Sequence, residues 1–218
     1  AVDDLEPVEL YAGTGELEYM GWNRRGKLEG GRSGMYSGAW TEGYEGAEGP
    51  RDPQLGVVFA RRPDRSVKTI LVNFSSHPNT LEGGDFYSAD VPGAVRQTMW
   101  KLFGETVTTV YLTGASGNTA PTILDAQQRG DPPWRGDEGW QRSGLYMGCE
   151  VGRVVARTID PKENPSLAFA HEEASIDIRP WHECKGMAEK DRPAPEIYAR
   201  FRETWDERRC QLSPWPVR

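Results

Sequence analysis

The stretch covering residues 67–112 constrains the fold most, because it has the pattern of a strand, a helix and a second strand. "VKTILVNF" is rich in β-branched residues and is typical of a buried strand. "VPGAVRQTMWKLFG" places Val95 and Met99 on one helical face and has Gly104 at its end, which predicts a helix. "VTTVYL" predicts the next strand. This order favours an α/β domain with a buried sheet.

The flanking segments extend this prediction in both directions. "GVVFA" and "VKTILVNF" are separated by the Pro-Asp turn "RRPDRS", which predicts a hairpin. "ELYAGTGELEY" predicts one or two strands around a Gly-Thr-Gly turn, and apolar residues from Trp140 onward predict a helix to about Asp160. "EASIDIRP" and "APEIYARFRETWDERRC" predict a last strand and an amphipathic helix. We therefore expect residues 1–218 to form a single α/β domain with a mixed sheet flanked by helices.

Glycine is concentrated in residues 30–49, "GGRSGMYSGAWTEGYEGAEG". The whole chain has 25 glycines and 16 prolines, more than an ordinary compact domain carries. The segment is too polar for a core element, so we predict a long Gly-rich loop. Its aromatic side chains could shape a pocket, or the loop could lack a fixed structure.

Charge and hydropathy argue against a nucleic-acid-binding protein and against a transmembrane segment. The formal net charge is -7 and the basic residues form no cluster, which argues against nucleic acid as a partner. No window approaches the roughly 20 apolar residues of a transmembrane segment. The three cysteines have no CxxC spacing, so neither a zinc knuckle nor a complete set of disulfides is indicated.

Two short polar stretches follow the central strands. His77 comes just after the strand that ends at Phe74, and Ser116 comes just after the strand that ends near Leu112. Ligands of open α/β sheets bind beyond the carboxyl ends of the strands. We therefore expect the two loops to face one crevice.

The chemistry of these two residues stays open on spacing alone. His77 is next to Pro78 on a short loop and suits a zinc ligand, but no HxH or HExxH motif is present, and local hydrogen bonds could equally satisfy it. "GASGN" around Ser116 fails the GxSxG template, so Ser116 is either a nucleophile of another kind or part of a Gly/Ser turn. Small residues such as Gly117 leave backbone N–H groups able to bind an oxyanion.

Two further charged residues have alternative roles. Asp90 in "SADVPG" is a candidate helix N-cap, or it could orient His77. Arg24 in "NRRG" could bind a carboxylate or an oxyanion, or it could form a solvated pair with Arg25.

In order and spacing, several stretches together resemble the neutral/alkaline non-lysosomal ceramidase family, in particular its shorter microbial branch. They are "LEPVELYAGTGEL", "NRRG", "DPQLGVVFA", "ILVNFSSHPNTLEGGDFYSADVPGAVR" and "VYLTGASGNTAP". The resemblance covers the central part of the family's N-terminal catalytic domain and implies a zinc-dependent amidase. Such a hydrolase, acting in sphingolipid metabolism, cleaves the N-acyl amide bond of ceramide to give sphingosine and a fatty acid.

The resemblance also implies roles for individual residues. His77 matches a zinc-ligating histidine, Ser116 matches the serine of the family's Asn-Ser-Gly-Asp-x-Ser-Pro motif, and Arg24 matches an arginine near the substrate. Beside these three residues, we predict Asp90, Gly117 and Asn118 as supporting or oxyanion-binding residues. This chain departs from the serine motif by three substitutions, at Ala115, Asn118 and Ala120.

The other zinc ligands of the family come from motifs that this sequence does not contain. We therefore expect Zn²⁺ to be held by His77 together with remaining segments of a parent protein or another chain, and a lipid or other acyl-amide substrate. The resemblance implies a secreted or periplasmic protein. Two alternatives stay open: a non-catalytic binding or structural module with the same fold, and a zinc hydrolase for a non-sphingolipid amide or ester.

Overall fold

The computed structural model describes residues 5–83, 85–121 and 134–173, and the residues as far as Glu172 form one compact unit. The strands are β1 Glu9–Glu16, β2 Trp22–Asn23, β3 Arg25–Leu28, β4 Arg32–Met35, β5 Tyr44–Ala47, β6 Gln54–Arg61, β7 Val67–Phe74, β8 Thr108–Thr113 and β9 Thr119–Ala120. The helices are α1 Asp90–Phe103 and α2 Gly136–Arg157, with a short 3-10 turn at Glu29–Gly31. The predicted last strand and last helix, His182, Cys184 and Cys210 lie outside the described residues.

The main sheet has four strands in the order β1-β6-β7-β8. The pairs β1–β6 and β6–β7 are antiparallel, while β7 and β8 are parallel and are connected through α1. The predicted hairpin and the predicted strand-helix-strand unit are therefore both confirmed. The fold is mixed α/β with a mixed sheet and two helices, as the sequence indicated. No helix among the described residues has both the length and the apolar character needed to span a membrane.

The Gly-Thr-Gly stretch was predicted to be a turn, and this prediction is wrong. Residues 13–15 continue the single strand β1, where Gly13 pairs with Val57 and Gly15 with Leu55. A Cβ at Gly13 would lie 2.9 Å from the Val154 side chain of α2. The glycines are therefore present so that α2 can approach the sheet closely, and not because the chain reverses there.

Both helices pack on the same face of the main sheet and form one core with it. The larger buried side chains of this core are Tyr11, Leu55, Val57, Phe59, Ile70, Val72, Phe74, Val95, Met99, Met147, Val151 and Val154. α1 and α2 also approach each other closely, since a Cβ at Gly144 would lie 2.8 Å from the Ala94 carbonyl oxygen. Core packing thus holds the carboxyl ends of β7 and β8 in fixed positions.

The opposite face of the sheet is apolar but exposed among the described residues. Ala12, Val58, Leu71 and Val110 pair in register and form one row across all four strands. Val58 is 41% exposed and Val110 38% exposed. The helices therefore cover only one side of the sheet in the described part of the chain.

The Gly-rich segment is more regular than its composition predicts. Its strands β4 and β5 pair with β3 in a three-stranded antiparallel sheet of order β4-β3-β5. The glycines permit close backbone contacts, because a Cβ at Gly26 would collide with the carbonyl oxygen of Ser37. This small sheet, with the two-stranded sheet β2-β9, positions residues 24–36 beside the end of the main sheet.

Candidate functional site

The loops that follow β7 and β8 lie side by side, as the sequence predicted. The Gly114 N–H donates to the Phe74 carbonyl oxygen at 3.0 Å, and the His77 N–H donates to the Thr119 carbonyl oxygen at 2.9 Å. These bonds continue the parallel contact of the two strands beyond their ends. The segments that carry His77 and Ser116 are therefore neighbours.

Arg24 joins this pair of loops from a third direction. Its N–H donates to the Asn118 carbonyl oxygen at 2.8 Å, and its Nη2 donates to the Gly117 carbonyl oxygen at 3.0 Å. Arg25 has different partners, since its guanidinium donates to Glu48 and to the Ser33 hydroxyl. The two arginines are therefore not a solvated pair, and Arg24 is bound to the loop that follows β8.

Tyr36 lies at the centre of this arrangement, although the sequence analysis gave it no role in catalysis. Its hydroxyl oxygen accepts hydrogen bonds from Arg24 Nη1 and from Asn79 Nδ2, each at 3.4 Å. The guanidinium carbons of Arg24 and Arg135 lie 5.7 and 5.1 Å from the centre of its ring. An aromatic residue in a glycine-rich stretch was the only signal in the sequence, and that signal is weak.

Opposing effects act on the pKa of Tyr36. Burial is the largest and raises the pKa, whereas hydrogen bonds from Arg24 and Asn79 lower it. The combined effect of the lowering contributions is larger, so the pKa lies below its ordinary value of 10. The surroundings of this phenol thus favour negative charge on its oxygen.

The Glu82 carboxylate balances part of the positive charge of the arginine side chains around Tyr36. Glu82 forms an ion pair with Arg135 at 3.2 Å and accepts a hydrogen bond from Asn79 at 2.9 Å. Two guanidinium groups and this carboxylate therefore surround the Tyr36 phenol in a chain whose net charge is -7. Such a site suits an anion or a developing oxyanion.

Asp90 does not act as the predicted N-cap. Ala89 is the N-cap residue of α1 and makes no side-chain capping bond. The Asp90 carboxylate instead accepts hydrogen bonds from the Thr80 N–H at 3.0 Å, the Thr80 hydroxyl and the Leu81 N–H at 2.9 Å. Asp90 itself has a positive φ of 45°. These hydrogen bonds connect the start of α1 to the segment that follows His77. Asp90 therefore positions His77 only indirectly, through Thr80 and Leu81.

Several buried polar atoms of this region have no hydrogen-bond partner. Among the described residues there are seven such side-chain atoms, and four belong to Trp22, Arg24, His77 and Asn79. An unsatisfied buried polar atom costs about 1–3 kcal/mol. Their concentration at the ends of β7 and β8 indicates that further groups complete this site.

His77 has one nitrogen atom that could bind a metal ion. The Nδ1 atom of His77 is one of the buried unpartnered atoms, and an imidazole nitrogen is a good zinc donor. No group of three or more His, Cys, Asp and Glu side chains able to hold a metal exists in residues 5–83, 85–121 and 134–173. The described residues therefore fit one ligand of a zinc site and not a complete site.

Ser116 lies in a tight turn, in which the Thr119 N–H donates to the Ser116 carbonyl oxygen at 2.8 Å. The Ser116 side chain makes no hydrogen bond with any described residue, so no described histidine or carboxylate activates it. The carbonyl groups of Gly117 and Asn118 accept from Arg24. Among the described residues, Ser116 therefore lies in the site without an activating base.

The solved structures that are similar to this fold include two ceramidase structures. One is the neutral ceramidase from Pseudomonas aeruginosa, with a TM-score of 0.51 and 18% sequence identity over 72% of this chain and 24% of that chain. The other is a ceramidase complexed with C2, with a TM-score of 0.52 and 17% identity over 72% and 23% of the two chains. No family model matches the sequence, and comparison with curated proteins gave no match.

At this level of identity, the two structures show a shared fold. The resemblance seen in the sequence motifs is therefore confirmed for the architecture of the described domain. The chain spans about a quarter of the length of each ceramidase.

Proposed function

We propose that this chain carries part of the active site of a zinc-dependent amidohydrolase that cleaves the N-acyl amide bond of ceramide or a related acyl amide. The fold shared with the two ceramidase structures supports the proposal. The motifs around His77, Ser116 and Arg24 support it independently, because the structure brings these three segments together.

The observation that carries the proposal is the buried Nδ1 atom of His77, which has no partner among the described residues. The loop of His77 is held by the Thr119 carbonyl on one side and, through Thr80, by Asp90 on the other. A histidine held this way has the restricted geometry that a metal ligand requires. A histidine satisfied by local hydrogen bonds would have a partner at this atom.

In the proposed site, His77 is one zinc ligand, and the other ligands come from remaining segments of the parent protein or from another chain. Zinc at such a site supplies a Lewis acid that polarises the acyl carbonyl and lowers the pKa of a bound water or hydroxyl. The guanidinium of Arg24 contributes positive charge where the tetrahedral oxyanion forms. Ser116, on the loop after β8, acts in this proposal as nucleophile or as a group that contacts the substrate.

The test is the substitution His77→Ala in the full-length parent protein, measured by zinc content and by turnover of a labelled N-acyl sphingosine. We expect zinc content to fall well below one per chain and turnover to fall by at least about 100-fold, because removing a catalytic ligand weakens the metal site and misplaces the substrate. His171→Ala is the matched control, because His171 is an exposed histidine.

If His77→Ala leaves both the zinc content and the turnover at the parental level, the proposal is wrong. If the parent protein binds zinc but hydrolyses only other amides or esters, the proposed substrate is wrong and the proposed zinc-dependent hydrolysis is right. A parent protein with neither zinc nor turnover would support the alternative of a non-catalytic module.

A further inference from the structure

The Tyr36 hydroxyl has a proton that no described residue accepts. A phenol has one proton to donate, and its oxygen can accept up to two hydrogen bonds. Arg24 and Asn79 already donate to this oxygen. The Tyr36 O–H can therefore act only as a donor towards a further group.

The position of this hydroxyl links the two loops of the site. Asn79, one of its two donors, is two residues after His77 on the loop that follows β7. Arg24, the other donor, also binds the Gly117 carbonyl on the loop that follows β8. The hydroxyl thus lies between the segments that carry His77 and Ser116.

The electrostatic surroundings strengthen the Tyr36 hydroxyl as a donor. Two guanidinium groups lie within 6 Å of its ring, at 5.7 and 5.1 Å. A donor that is itself polarised by cations stabilises a nearby oxyanion more than an isolated phenol does. The carbonyl oxygens of Gly117 and Asn118 accept hydrogen bonds from Arg24 and hold its backbone and guanidinium beside this phenol.

The backbone holds Tyr36 in a conformation that a non-glycine residue rarely adopts. Its φ is 55°, in the left-handed region, and its N–H donates to the Arg24 carbonyl oxygen at 2.6 Å. Non-glycine residues in this region are uncommon and cluster at functional sites. Tyr36 and Arg24 are therefore coupled through both backbone and side chains.

We propose that Tyr36 is a catalytic residue whose hydroxyl donates a hydrogen bond to the oxyanion of the tetrahedral intermediate. This inference rests on the proposed amidohydrolase function and adds to it a donor from outside the motifs that carry the ceramidase resemblance. The phenol proton stays on Tyr36, so no bond of the side chain is made or broken. The same hydroxyl, with Arg24, binds the carboxylate of the fatty-acid product.

The first experiment compares Tyr36→Phe with the parent protein in turnover of labelled N-acyl sphingosine. Phenylalanine keeps the ring between the two arginines and removes only the hydroxyl. We expect kcat to fall by about 100-fold, with KM changed much less, because the lost bond forms mainly in the transition state. Tyr87→Phe is the control, since Tyr87 is fully exposed, and it should match the parent.

The second experiment measures octanoate binding by calorimetry to the same full-length proteins and does not depend on turnover. We expect Tyr36→Phe to weaken octanoate binding by about tenfold, as the loss of one hydrogen bond to a charged group would. Thermal unfolding of both variants shows whether the substitution has disturbed the fold. The Tyr36 variant should unfold within a few degrees of the parent protein.

The possible outcomes separate the two proposals. If the parent protein hydrolyses the amide and Tyr36→Phe has an unchanged kcat, the role of Tyr36 is wrong and the amidohydrolase function stands. If the parent protein shows no turnover, octanoate decides: tenfold weaker binding by Tyr36→Phe supports the anion-binding hydroxyl even though the amidase proposal fails. Equal octanoate binding by both proteins, or none by the parent, overturns the role of Tyr36.

Discussion

The helix-covered core and the strand-end site differ in how many of their buried polar atoms have hydrogen-bond partners among the described residues. In the core, several polar groups have local partners: the Ser143 hydroxyl donates to the Gly139 carbonyl oxygen at 2.7 Å, and the Trp100 indole donates to the Val107 carbonyl oxygen at 3.2 Å. At the ends of β7 and β8, Arg24, His77 and Asn79 each have a buried atom without one. Such an atom also occurs in Arg61, Thr109 and Arg142, on β6, β8 and α2. Unsatisfied polar atoms are therefore more numerous at the site but are not confined to it.

This difference separates substitutions that affect stability from those that affect function. Changes in the core should alter the free energy of unfolding and affect the site only indirectly. Changes at the strand ends should cost less stability and more activity or ligand binding.

The largest loss of stability is expected for Phe59→Ala in the core. Phe59 is 0% exposed and stacks on Tyr11 with ring centres 4.8 Å apart. Removing the ring leaves a cavity, so the free energy of unfolding should fall by about 3–5 kcal/mol. Urea denaturation measures the loss, with Phe86→Ala as control because Phe86 is 59% exposed. A loss below about 1 kcal/mol would mean that the core is not the well-packed region described above.

A smaller loss is expected for Asp90→Asn at the strand-end site. Asparagine tolerates the positive φ at this position but replaces one carboxylate oxygen by an amide group that cannot accept from Thr80 or Leu81. The free energy of unfolding should fall by about 1–3 kcal/mol.

Urea denaturation of Asp85→Asn provides the control for Asp90, because Asp85 is an exposed residue of the same loop. Equal stability of the two variants would show that the bonds of Asp90 do not hold the segment after His77. The contrast between core and site would then be larger, because the hydrogen bonds from Thr80 and Leu81 to Asp90 would contribute nothing measurable to the free energy of unfolding.

The smallest effect is expected for Glu48→Gln in the small sheet beside the site. The hydrogen bond from Arg25 is the main cause that lowers the pKa of Glu48 from its ordinary 4.5. A lowered pKa stabilises the folded protein above about pH 4.5, and this stabilisation is lost as the pH falls through the folded value. The pair is partly exposed, so its contribution is small.

Thermal unfolding between pH 6 and pH 3 tests this prediction. The variant should lose less stability than the parent protein below about pH 4.5, and Glu45→Gln, which changes an exposed residue of β5 just before Glu48, should follow the parent. Identical acid dependence of Glu48→Gln and the parent protein would show that the ion pair contributes nothing measurable.

Local sequence patterns predicted the central part of the fold well. The hairpin of β6 and β7, helix α1, strand β8 and helix α2 all follow from apolar periodicity and turn residues, which are properties of adjacent residues. The same reasoning predicted a strand at β1 but wrongly placed a turn within it, and it underestimated the strands in residues 30–49. Glycine there serves close packing against α2 or Ser37, and only the partner across the gap distinguishes such a glycine from a turn.

The site could be predicted in part for a similar reason. Strand ends are visible in the sequence, so the proximity of His77 and Ser116 followed from the parallel connection. The contacts of Tyr36 could not be predicted, because they join residues 24, 36, 79 and 135 through three separate segments. Asp90 had the composition of an N-cap, and only its bonds to Thr80 and Leu81 showed otherwise.

The sequence by itself determined the class of fold and the two loops in which chemistry is to be sought, because periodicity and strand ends are local properties. Only the tertiary structure decided which side chains surround those loops and which of their atoms are satisfied. The physical reason is that hydrogen bonds, cation–π contacts and burial depend on distances between residues far apart in the chain. In this protein those distances bring Arg24, Tyr36 and Asn79 together between His77 and the Ser116 loop.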